Sequence, residues 1–456
     1  MTAARVRQVR FTALVVGICG AASGCGEEPT TAPANPALEA ARGSTGGSVG
    51  PKVSATDPDT GFRSTTIDVQ VLGSGFDQGS RAVWALNGDT TFATTNIRIN
   101  STRYVSSKKL IANLTIGTDA PLDLFDVIVL TAGGKKGIGL ELFAVTYKVT
   151  DLGTLGGTWS YAFGINELGH VVGMSPTASG EVHAFLWTPE TGMLDLALPG
   201  SGRSEAHDVN ETGQVVGWGA GTGASRAFVW TATEGMRNLE LFGGNSSFGL
   251  SINASGNIGG RITGLPGGAP VASSGLWTAG SYEIVDGVNF AYGVEDLNDL
   301  GQAVATAETA DRLNVPRPFL YTRGANGWIA TAIPAGPSDA DARAVNAAGQ
   351  VIGYFRRHDG GISSYVWSAG TGLDTLPSDG RADAYDLNDT GVVVGSITGS
   401  HEFPAIWTPQ EDGDWALQLL PSQYRNGVAR AINNRGDIAG VLYTPSGQHA
   451  ALWTQR

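Results

Sequence analysis

The pattern Asn-x-x-Gly recurs seven times between residues 166 and 436, with 42 to 48 residues from one copy to the next. A fixed period of this length indicates one supersecondary unit that is copied around a ring or along a stack. The seven asparagines are Asn166, Asn210, Asn253, Asn298, Asn346, Asn388 and Asn433. Side chains that recur in every copy serve the architecture, so ligand-specific chemistry is expected where the copies differ.

Each copy is predicted to contain four β-strands. The Asn bonds its own backbone, and the Gly three residues later takes the positive φ that closes a short hairpin turn. The returning strand is apolar and ends in Gly, as in Val171-Val172-Gly173, and a third strand carries an aromatic and a hydroxyl residue, as in Leu186-Trp187-Thr188. With a fourth strand, the period is typical of a four-stranded β-propeller blade.

The two ends of the repeat region complement each other. The seventh copy stops at Leu452-Trp453-Thr454 before a fourth strand, whereas an extra strand, Tyr147 to Leu155, precedes the first copy. We therefore expect residues 147–456 to form a seven-bladed β-propeller in which this N-terminal strand completes the last blade. Such closure removes the exposed strand edges that would otherwise favour aggregation.

Two copies carry a recognisable pentapeptide. His183-Ala184-Phe185-Leu186-Trp187 and Arg226-Ala227-Phe228-Val229-Trp230 resemble the HAF repeat of bacterial extracellular proteins. The similarity covers residues 147–456 and rests on the whole repeated pattern, because only the first copy contains the complete His-Ala-Phe tripeptide. The resemblance implies a surface or secreted repeat protein, and it brings no catalytic residues with it.

Residues 1–24 have the pattern of a bacterial lipoprotein signal peptide. A basic start containing three arginines precedes the apolar stretch 11–20, which is too short to span a bilayer. Ala22-Ser23-Gly24-Cys25 then resembles a lipobox, which implies lipidation of Cys25; the alternative is ordinary secretion with a free Cys25. Gly26 after the cysteine resembles the Gram-negative pattern for sorting to the outer membrane. We expect the protein in the bacterial cell envelope, as an outer membrane lipoprotein or at the cell surface.

Two further segments separate this signal from the repeats. Residues 25–51 are rich in Pro, Ala, Gly, Ser and Thr, and we expect a disordered tether because they offer little apolar surface to bury. Residues 52–146 show two-residue alternation, as in Leu110 to Ile116, which predicts a β-sandwich. Its Gly73-Ser74-Gly75-Phe76 resembles the IPT/TIG immunoglobulin-like domain, which implies a spacer or binding module. The predicted fold class is therefore all-β, an immunoglobulin-like β-sandwich followed by the propeller.

Composition excludes several function classes. The net charge is −13, which argues against nucleic acid as a partner, and Gly supplies 66 of 456 residues, as turn-dense β architecture requires. The six histidines show no metal-ligand spacing, and Gly-x-Ser-x-Gly and phosphate-loop motifs are missing. We expect no metal and no cofactor, no catalytic residues, a monomer, and contact with the membrane only through the N-terminal lipid.

The predicted ligand site lies on the face opposite the Asn-x-x-Gly turns, where the loops vary. The predicted ligand-binding residues are Trp159, Arg203, Trp218, Tyr354 and Arg356. Arginines gather on this face, and their planar forks suit carboxylate or sulfate groups, although they could equally pair with the protein's own acids. These arginines are Arg203, Arg261, Arg312, Arg356, Arg357, Arg381 and Arg425.

Asp208, Asp296 and Asp386 occupy one place, two residues before the Asn, in alternate copies. They could line a central channel or cap backbone N–H groups at strand ends.

Three function classes remain open. The first is a noncatalytic surface-anchored binding or adhesion protein that recognises an extracellular glycan or a surface protein through the propeller rim. The second is a propeller hydrolase or lyase acting on polysaccharide, which requires an acid and a base that converge at the mouth. The third is a structural component of the envelope.

Overall fold

The computed structural model describes residues 50–86, 95–197, 201–221, 223–266, 272–278, 280–285, 290–309, 312–336, 339–378, 380–399, 401–422 and 426–455. All regular secondary structure in these ranges is β-strand, and none of it is a helix that could cross a membrane. The predicted signal peptide, Cys25, most of the predicted tether and Arg425 lie outside the described residues. The chain divides into two compact units, with the boundary after Lys148.

The first unit consists of two four-stranded sheets around one hydrophobic core. Its strands are β1 Lys52–Asp57, β2 Thr60–Gly61, β3 Thr65–Ser74, β4 Arg81–Leu86, β5 Ile97–Ser106, β6 Lys109–Ile116, β7 Leu124–Leu130 and β8 Lys136–Val145. The sheet orders are β1-β3-β6-β5 and β2-β8-β7-β4. Along β6 every second side chain is buried, as the alternating sequence predicts. Trp84 and Phe143 meet edge to face in the core, with ring centroids 5.9 Å apart.

The second unit contains seven sets of four strands, one for each Asn-x-x-Gly copy, which we call the repeat sheets. A single parallel bridge between Val182 and Arg203 joins the first two sets into one eight-stranded sheet. The strand β9 Lys148–Asp151 opens the unit. The first three repeat sheets contain β10 Tyr161–Ile165, β11 Val171–Pro176, β12 Val182–Thr188 and β13 Gly192–Asp195; β14 Ser201–Val209, β15 Val215–Gly221, β16 Ser225–Thr231 and β17 Gly235–Asn238; and β18 Ser246–Ile252, β19 Ile258–Thr263, β20 Ala272–Thr278 and β21 Ser281–Ile284.

The other four repeat sheets follow the same order. They contain β22 Phe290–Leu297, β23 Ala303–Thr309, β24 Arg312–Gly324 and β25 Gly327–Ala332; β26 Ala340–Val345, β27 Val351–Arg356, β28 Ile362–Ser368 and β29 Gly372–Thr375; β30 Arg381–Leu387, β31 Val393–Thr398, β32 Glu402–Pro409 and β33 Trp415–Leu419; and β34 Gly427–Ile432, β35 Ile438–Thr444 and β36 Gly447–Thr454 with β9. The strand that opens the unit therefore completes the last sheet, and Leu152 N–H donates to Ala450 O at 2.9 Å beside it.

Each Asn-x-x-Gly segment forms the predicted turn. In the first copy Gly169 N–H donates to Asn166 O at 3.0 Å, and Gly169 has a φ of 80°. The Asn166 Oδ1 atom accepts the N–H groups of Leu168 and His170 at 3.0 and 2.9 Å. The asparagine side chain thus satisfies two backbone donors that the turn would leave unpaired, which explains why Asn is kept in all seven copies.

The same asparagines link the seven repeat sheets into a closed ring. Each Asn Nδ2 donates to the backbone oxygen of the next Asn, at 2.9 to 3.3 Å, from Asn166 to Asn210 and onward around the set. The seventh, Asn433, donates back to Asn166 O at 3.0 Å. We call this closed set of hydrogen bonds the asparagine cycle. It ties the last sheet to the first across 267 residues of sequence.

Neighbouring repeat sheets pack through the aromatic residue of the third strand. Trp407 and Trp453 are fully buried. The indole N–H of Trp407 donates to Pro377 O at 2.9 Å and that of Trp453 to Pro421 O at 2.8 Å, and both prolines lie in the segment that follows the fourth strand of the preceding repeat sheet. The buried ring supplies apolar area, and its one polar atom is paired.

Candidate functional site

The inner strands of the repeat sheets surround a channel, and one end of that channel is formed by the repeated turns. A cavity of about 220 Å³ lies there, lined by the seven asparagines and by residues next to them. Side chains one residue after the asparagines also join the turns: Glu167 accepts the N–H of Asn434, and Asp389 accepts the N–H of Ala347 at 2.8 Å. The acceptors at this end are therefore used by the protein's own backbone.

Asp208 and Asp296 line this cavity, and all three aspartates of the set, Asp208, Asp296 and Asp386, cap backbone groups. Each accepts the N–H of the following residue and an N–H of the next repeat sheet; Asp386 accepts from Leu387 and from Ile432, both at 2.8 Å. Burial, followed by the charge of Asp296, raises the pKa of Asp386 to about 8. Burial raises the pKa of Asp208 to about 6 and also raises that of Asp296.

These aspartates do not form a metal site. In the part of the chain that the structure describes, no three His, Cys, Asp or Glu side chains are grouped closely enough to hold a metal ion.

A different set of side chains lies one residue earlier on each inner strand, three residues before the asparagine. The members are Phe163, His207, Leu250, Glu295, Arg343, Tyr385 and Arg430, and we call them the variable ring. In every repeat sheet the ladder between the first and second strands shifts register across this residue, for example between Ala384 and Asp386 around Tyr385. A β-bulge of this kind leaves one residue unpaired and redirects its side chain.

On one side of the variable ring, His207 is enclosed by aromatic and charged neighbours. Phe163 stacks on its imidazole with centroids 5.3 Å apart and planes inclined by 13°. The Trp218 indole N–H approaches His207 Nε2 at 3.1 Å, and Glu205 lies 3.3 Å from the same atom. Arg203 Nε donates to Glu205 at 2.8 Å. Burial acts to raise the pKa of Glu205, but the interactions with His207 and Arg203 outweigh it and hold that pKa below its usual value.

The aromatic wall continues from Trp218 into the third repeat sheet. Trp218 and Phe248 meet edge to face with centroids 5.3 Å apart. The guanidinium of Arg261 lies 4.5 Å from the Phe248 centroid, and that of Arg203 lies 6.0 Å from the Trp218 ring. These contacts are in the range of cation–π attraction.

A pair of acids lies next around the ring. Burial, and then the charge of Asp341, raises the pKa of Glu295 to about 8, although Arg261 and Arg343 oppose the shift. Asp341 accepts a hydrogen bond from Thr306 Oγ1, and burial raises its pKa as well. Glu295 is therefore mainly protonated at neutral pH.

The remaining part of the variable ring combines two arginines with tyrosines. The Arg343 guanidinium lies 4.8 Å from the Tyr354 centroid and 4.6 Å from the Tyr385 centroid. The Arg430 guanidinium lies 4.3 Å from the Tyr385 centroid. Because the three ring residues come from successive repeat sheets, Tyr385 lies between the two cations.

The five residues predicted to bind ligand occupy different surroundings. Arg203 contacts Trp218, and Tyr354 contacts Arg343 of the variable ring, as described above. The ring centroid of Trp159 lies 5.0 Å from that of Tyr161, and the Tyr161 hydroxyl donates to Gln448. Arg356 lies farther out, 3.8 Å from Asp339 in the connection between the fourth and fifth repeat sheets.

Most of the arginines that were expected to gather on this face pair with nearby acids. Arg203, Arg356, Arg357 and Arg381 pair with Glu205, Asp339, Asp359 and Asp383, respectively. Arg261 stacks on Phe248, and the side chain of Arg312, like Arg425, lies outside the described part. Pairing with the protein's own acids, one of the two roles that the sequence left open for these arginines, is therefore observed for four of the seven.

The residues of the variable ring were not among those predicted to bind ligand. Its signal was available, because one position in the repeated frame reads Phe, His, Leu, Glu, Arg, Tyr and Arg between conserved apolar and Asn positions. What the sequence does not contain is the β-bulge, since a bulge depends on the register of the neighbouring strand.

No family model matches the chain, and no curated protein is similar to it in sequence. Similar solved structures include the β-propeller domain of the trilobed protease from Pyrococcus furiosus, with 9% identity over 82% of this chain and 99% of that one and a TM-score of 0.41. TolB from Acinetobacter baumannii matches with 12% identity over 67% of this chain and a TM-score of 0.32, and the match spans only 62% of the TolB chain. The Aleuria aurantia lectin, in complex with Fucalpha1-6GlcNAc, matches with 10% identity over 60% of this chain and 96% of its own, at a TM-score of 0.33. The described chain is all-β, and its structural neighbours include β-propeller proteins.

Proposed function

We propose that the chain is a noncatalytic binding protein in which the seven repeat sheets are the blades of a β-propeller. A glycan or a protein binds at the channel mouth that the variable ring encircles, which is the end opposite the asparagine cycle. In the same proposal, the first unit is an immunoglobulin-like sandwich of the IPT/TIG kind that spaces the HAF-like propeller from the membrane. A lipid on Cys25 anchors the protein to the cell envelope.

One observation carries the proposal: the bulged position of each inner strand is a position at which the seven copies differ widely in size and charge. Bulges are kept where a side chain must be redirected, often beside binding and active sites. The neighbouring positions are repeated in kind, with a small residue or Asp after the bulge and an Asn at the turn. The turns are the same in every copy, whereas the side chains of the variable ring differ. This combination supports ligand recognition at the variable ring.

The energetic cost of these side chains supports the same conclusion. Burying a charged or polar group stabilises nothing unless it is paired, and each unpaired buried group costs about 1 to 3 kcal/mol. Glu295 and Arg430 bear such costs in a ring where Leu250 and Phe163 show that apolar residues fit. Polar and charged groups that are costly for the fold are expected where a ligand uses them.

The acids around the mouth favour binding over catalysis. Glu205 is held by Arg203 and His207, and Asp383 is held by Arg381. Glu402 accepts hydrogen bonds from Ser396 at 2.9 Å and from Tyr443 at 3.1 Å. Carboxylates that are already ion-paired or hydrogen-bonded to neighbouring side chains are positioned to orient those neighbours, not to transfer protons during a reaction.

A hydrolase or lyase is the second candidate, and one observation favours it. Glu295 is a protonated carboxyl beside a second acid, Asp341, and such a pair can divide the roles of general acid and base. Reducing-end release and unsaturated-product absorbance, measured on polysaccharides that the protein binds, test this candidate. Turnover that is abolished by Glu295→Gln with binding intact would establish the enzyme and overturn the noncatalytic proposal.

A glycan array probed with the full chain tests the binding proposal. We expect retention of a subset of glycans and its loss in Trp218→Ala, since Trp218 lines the mouth. Trp415→Ala is the matched control, because Trp415 lies on the outer strand β33 and donates to Asp374 at 2.8 Å. Equal loss in both variants, or no retention of any glycan or envelope protein, would refute the proposed site and leave a structural role in the envelope.

A further inference from the structure

Arg343 and Arg430 lie in the variable ring, each against the ring of Tyr385, and neither makes a salt bridge with a described residue. Among the described residues, salt bridges in this unit are made by Arg203, Arg323, Arg356, Arg357, Arg381 and Arg435. Arg343 donates one hydrogen bond, from Nη1 to Ala384 O at 2.9 Å. Arg430 donates none to a described residue, and its Nε is buried without a partner.

Tyr385 separates the two guanidinium groups, at 4.6 Å from Arg343 and 4.3 Å from Arg430. A guanidinium that lies over an aromatic ring gains cation–π attraction while its N–H groups remain available along its edges. Those edges match the two oxygens of a carboxylate or a sulfate. The tyrosine therefore supports both cations, while Arg343 uses one N–H donor on a described acceptor and Arg430 uses none.

No salt bridge joins Arg430 to an acid among the described residues. The carboxylate of Glu402 accepts hydrogen bonds from Ser396 at 2.9 Å and from Tyr443 at 3.1 Å. The charge of Arg430 acts instead on the hydroxyls of Tyr161 and Tyr443, where it opposes the rise of the pKa that burial causes. Around Arg343, burial raises the pKa of Glu295 to about 8 and also raises the pKa of Asp341, and the charge of Arg343 opposes both shifts.

From these contacts we infer that Arg343 and Arg430 bind an oxyanion of an acidic glycan, either the carboxylate of a uronic acid or a sulfate ester. This inference rests on the proposed function and specifies its ligand class. The anion occupies the donor edges of the two guanidinium groups, and the sugar ring lies against the tyrosines of the mouth. A bound oxyanion supplies the acceptors that these guanidinium groups lack in the structure.

Calorimetry with the full chain at pH 7 tests the inference with three probes: tetragalacturonate, its methyl ester and a carrageenan tetrasaccharide. The first carries carboxylates, the second is the neutral form of the same sugar, and the third carries sulfate without carboxylate. We expect at least one acidic probe to bind tenfold or more tighter than the neutral ester. Arg430→Gln should weaken that binding by tenfold or more, and Arg430→Lys should restore only part of it because the fork is lost.

Arg323→Gln is the matched control, because Arg323 is ion-paired to Glu283 and stacked on Trp328, on the outer part of its sheet. Its affinity for the acidic probe should equal that of the unmodified protein. Arg430-dependent binding of tetragalacturonate assigns a carboxylate, and Arg430-dependent binding of the carrageenan probe assigns a sulfate; either supports the inference. A melting temperature for each variant separates loss of binding from loss of folding, and Arg343→Gln should reproduce the loss if Arg430→Gln unfolds.

Two outcomes overturn the inference. One is equal affinity for tetragalacturonate and its methyl ester, unaffected by Arg430→Gln, which leaves the proposed glycan site in place without an anion pocket. The other is no binding of any of the three probes by a folded protein. The proposed function fails separately, on the full array, if no glycan or envelope protein is retained.

Discussion

Removal of one asparagine side chain from the asparagine cycle should destabilise the second unit strongly. Asn298 is 8% exposed and makes four hydrogen bonds. Its Nδ2 donates to Asn346 O at 2.9 Å and to Gln302 Oε1 at 2.8 Å, and its Oδ1 accepts the N–H groups of Leu300 at 3.1 Å and of Gln302 at 2.9 Å. In Asn298→Ala all four bonds are lost, and two backbone donors in the turn lose their acceptor.

The magnitude follows from these four bonds. Each contributes about 0.5 to 1.5 kcal/mol net, so the free energy of unfolding should fall by about 2 to 6 kcal/mol. A loss of about 4 kcal/mol, near the middle of this range, should lower the melting temperature by roughly 6 °C for a unit of this size, because the entropy of unfolding is about 2.1 cal/mol/K per residue. Asn298→Asp keeps the acceptor but loses the donor that reaches Asn346, so its destabilisation should also exceed that of a surface substitution.

Tryptophan fluorescence measured during urea and thermal unfolding of the full chain reports mainly on the second unit, because every tryptophan except Trp84 lies in it. Leu300→Ala is the control, since Leu300 belongs to the same turn, is 70% exposed and takes part only through its backbone. We expect the control to change stability by less than about 0.5 kcal/mol. If Asn298→Ala were as stable as Leu300→Ala, the asparagine cycle would not hold the ring together, and packing between sheets alone would account for its closure.

Three further predictions follow from the structure. Because the pKa of Asp386 is raised to about 8, its protonated form favours the fold, and this contribution to stability is lost as the pH rises from about 4 toward 8. Asp386→Asn should therefore reduce the loss in the free energy of unfolding between pH 6 and 8 by about 2 to 3 kcal/mol, as measured by urea unfolding at each pH. Gly173→Ala should destabilise by more than about 2 kcal/mol, since its Cβ would lie 1.9 Å from Tyr161 O, whereas Gly202→Ala, with open space around it, should not. Cys25→Ser should move the protein from the membrane to the soluble fraction on cell fractionation, and unchanged membrane retention would exclude a lipid anchor at this residue.

Local chemistry explains which parts of the fold could be predicted. The Asn-x-x-Gly turns depend on four consecutive residues, and the structure contains the predicted turn at each of the seven positions. The surplus strand at one end and the missing strand at the other predicted the pairing that β9 makes with β36. Both inferences need only the pattern along the chain, because turn residues and strand counts act at short range.

The pairing of the surface arginines could also have been predicted more sharply. Arg203 and Arg381 lie in strands and each has an acid two residues later; because successive side chains of a strand alternate between its faces, residues two apart share a face. This period places Glu205 and Asp383 beside their arginines. The same rule finds no acid near Arg430, whose neighbours two residues away are Val428 and Ile432.

The sequence by itself determined the repeat, the turn at each copy, the all-β class and the division into unrelated first and second units, because each of these depends on residues close together in the chain. The tertiary structure decided which side chains meet across the channel. The asparagine cycle joins groups 42 to 48 residues apart and closes over 267 residues. The variable ring exists because a register shift against the second strand turns one residue of each inner strand toward its neighbours. Such contacts depend on how strands pair and sheets close, and no stretch of the chain encodes them locally.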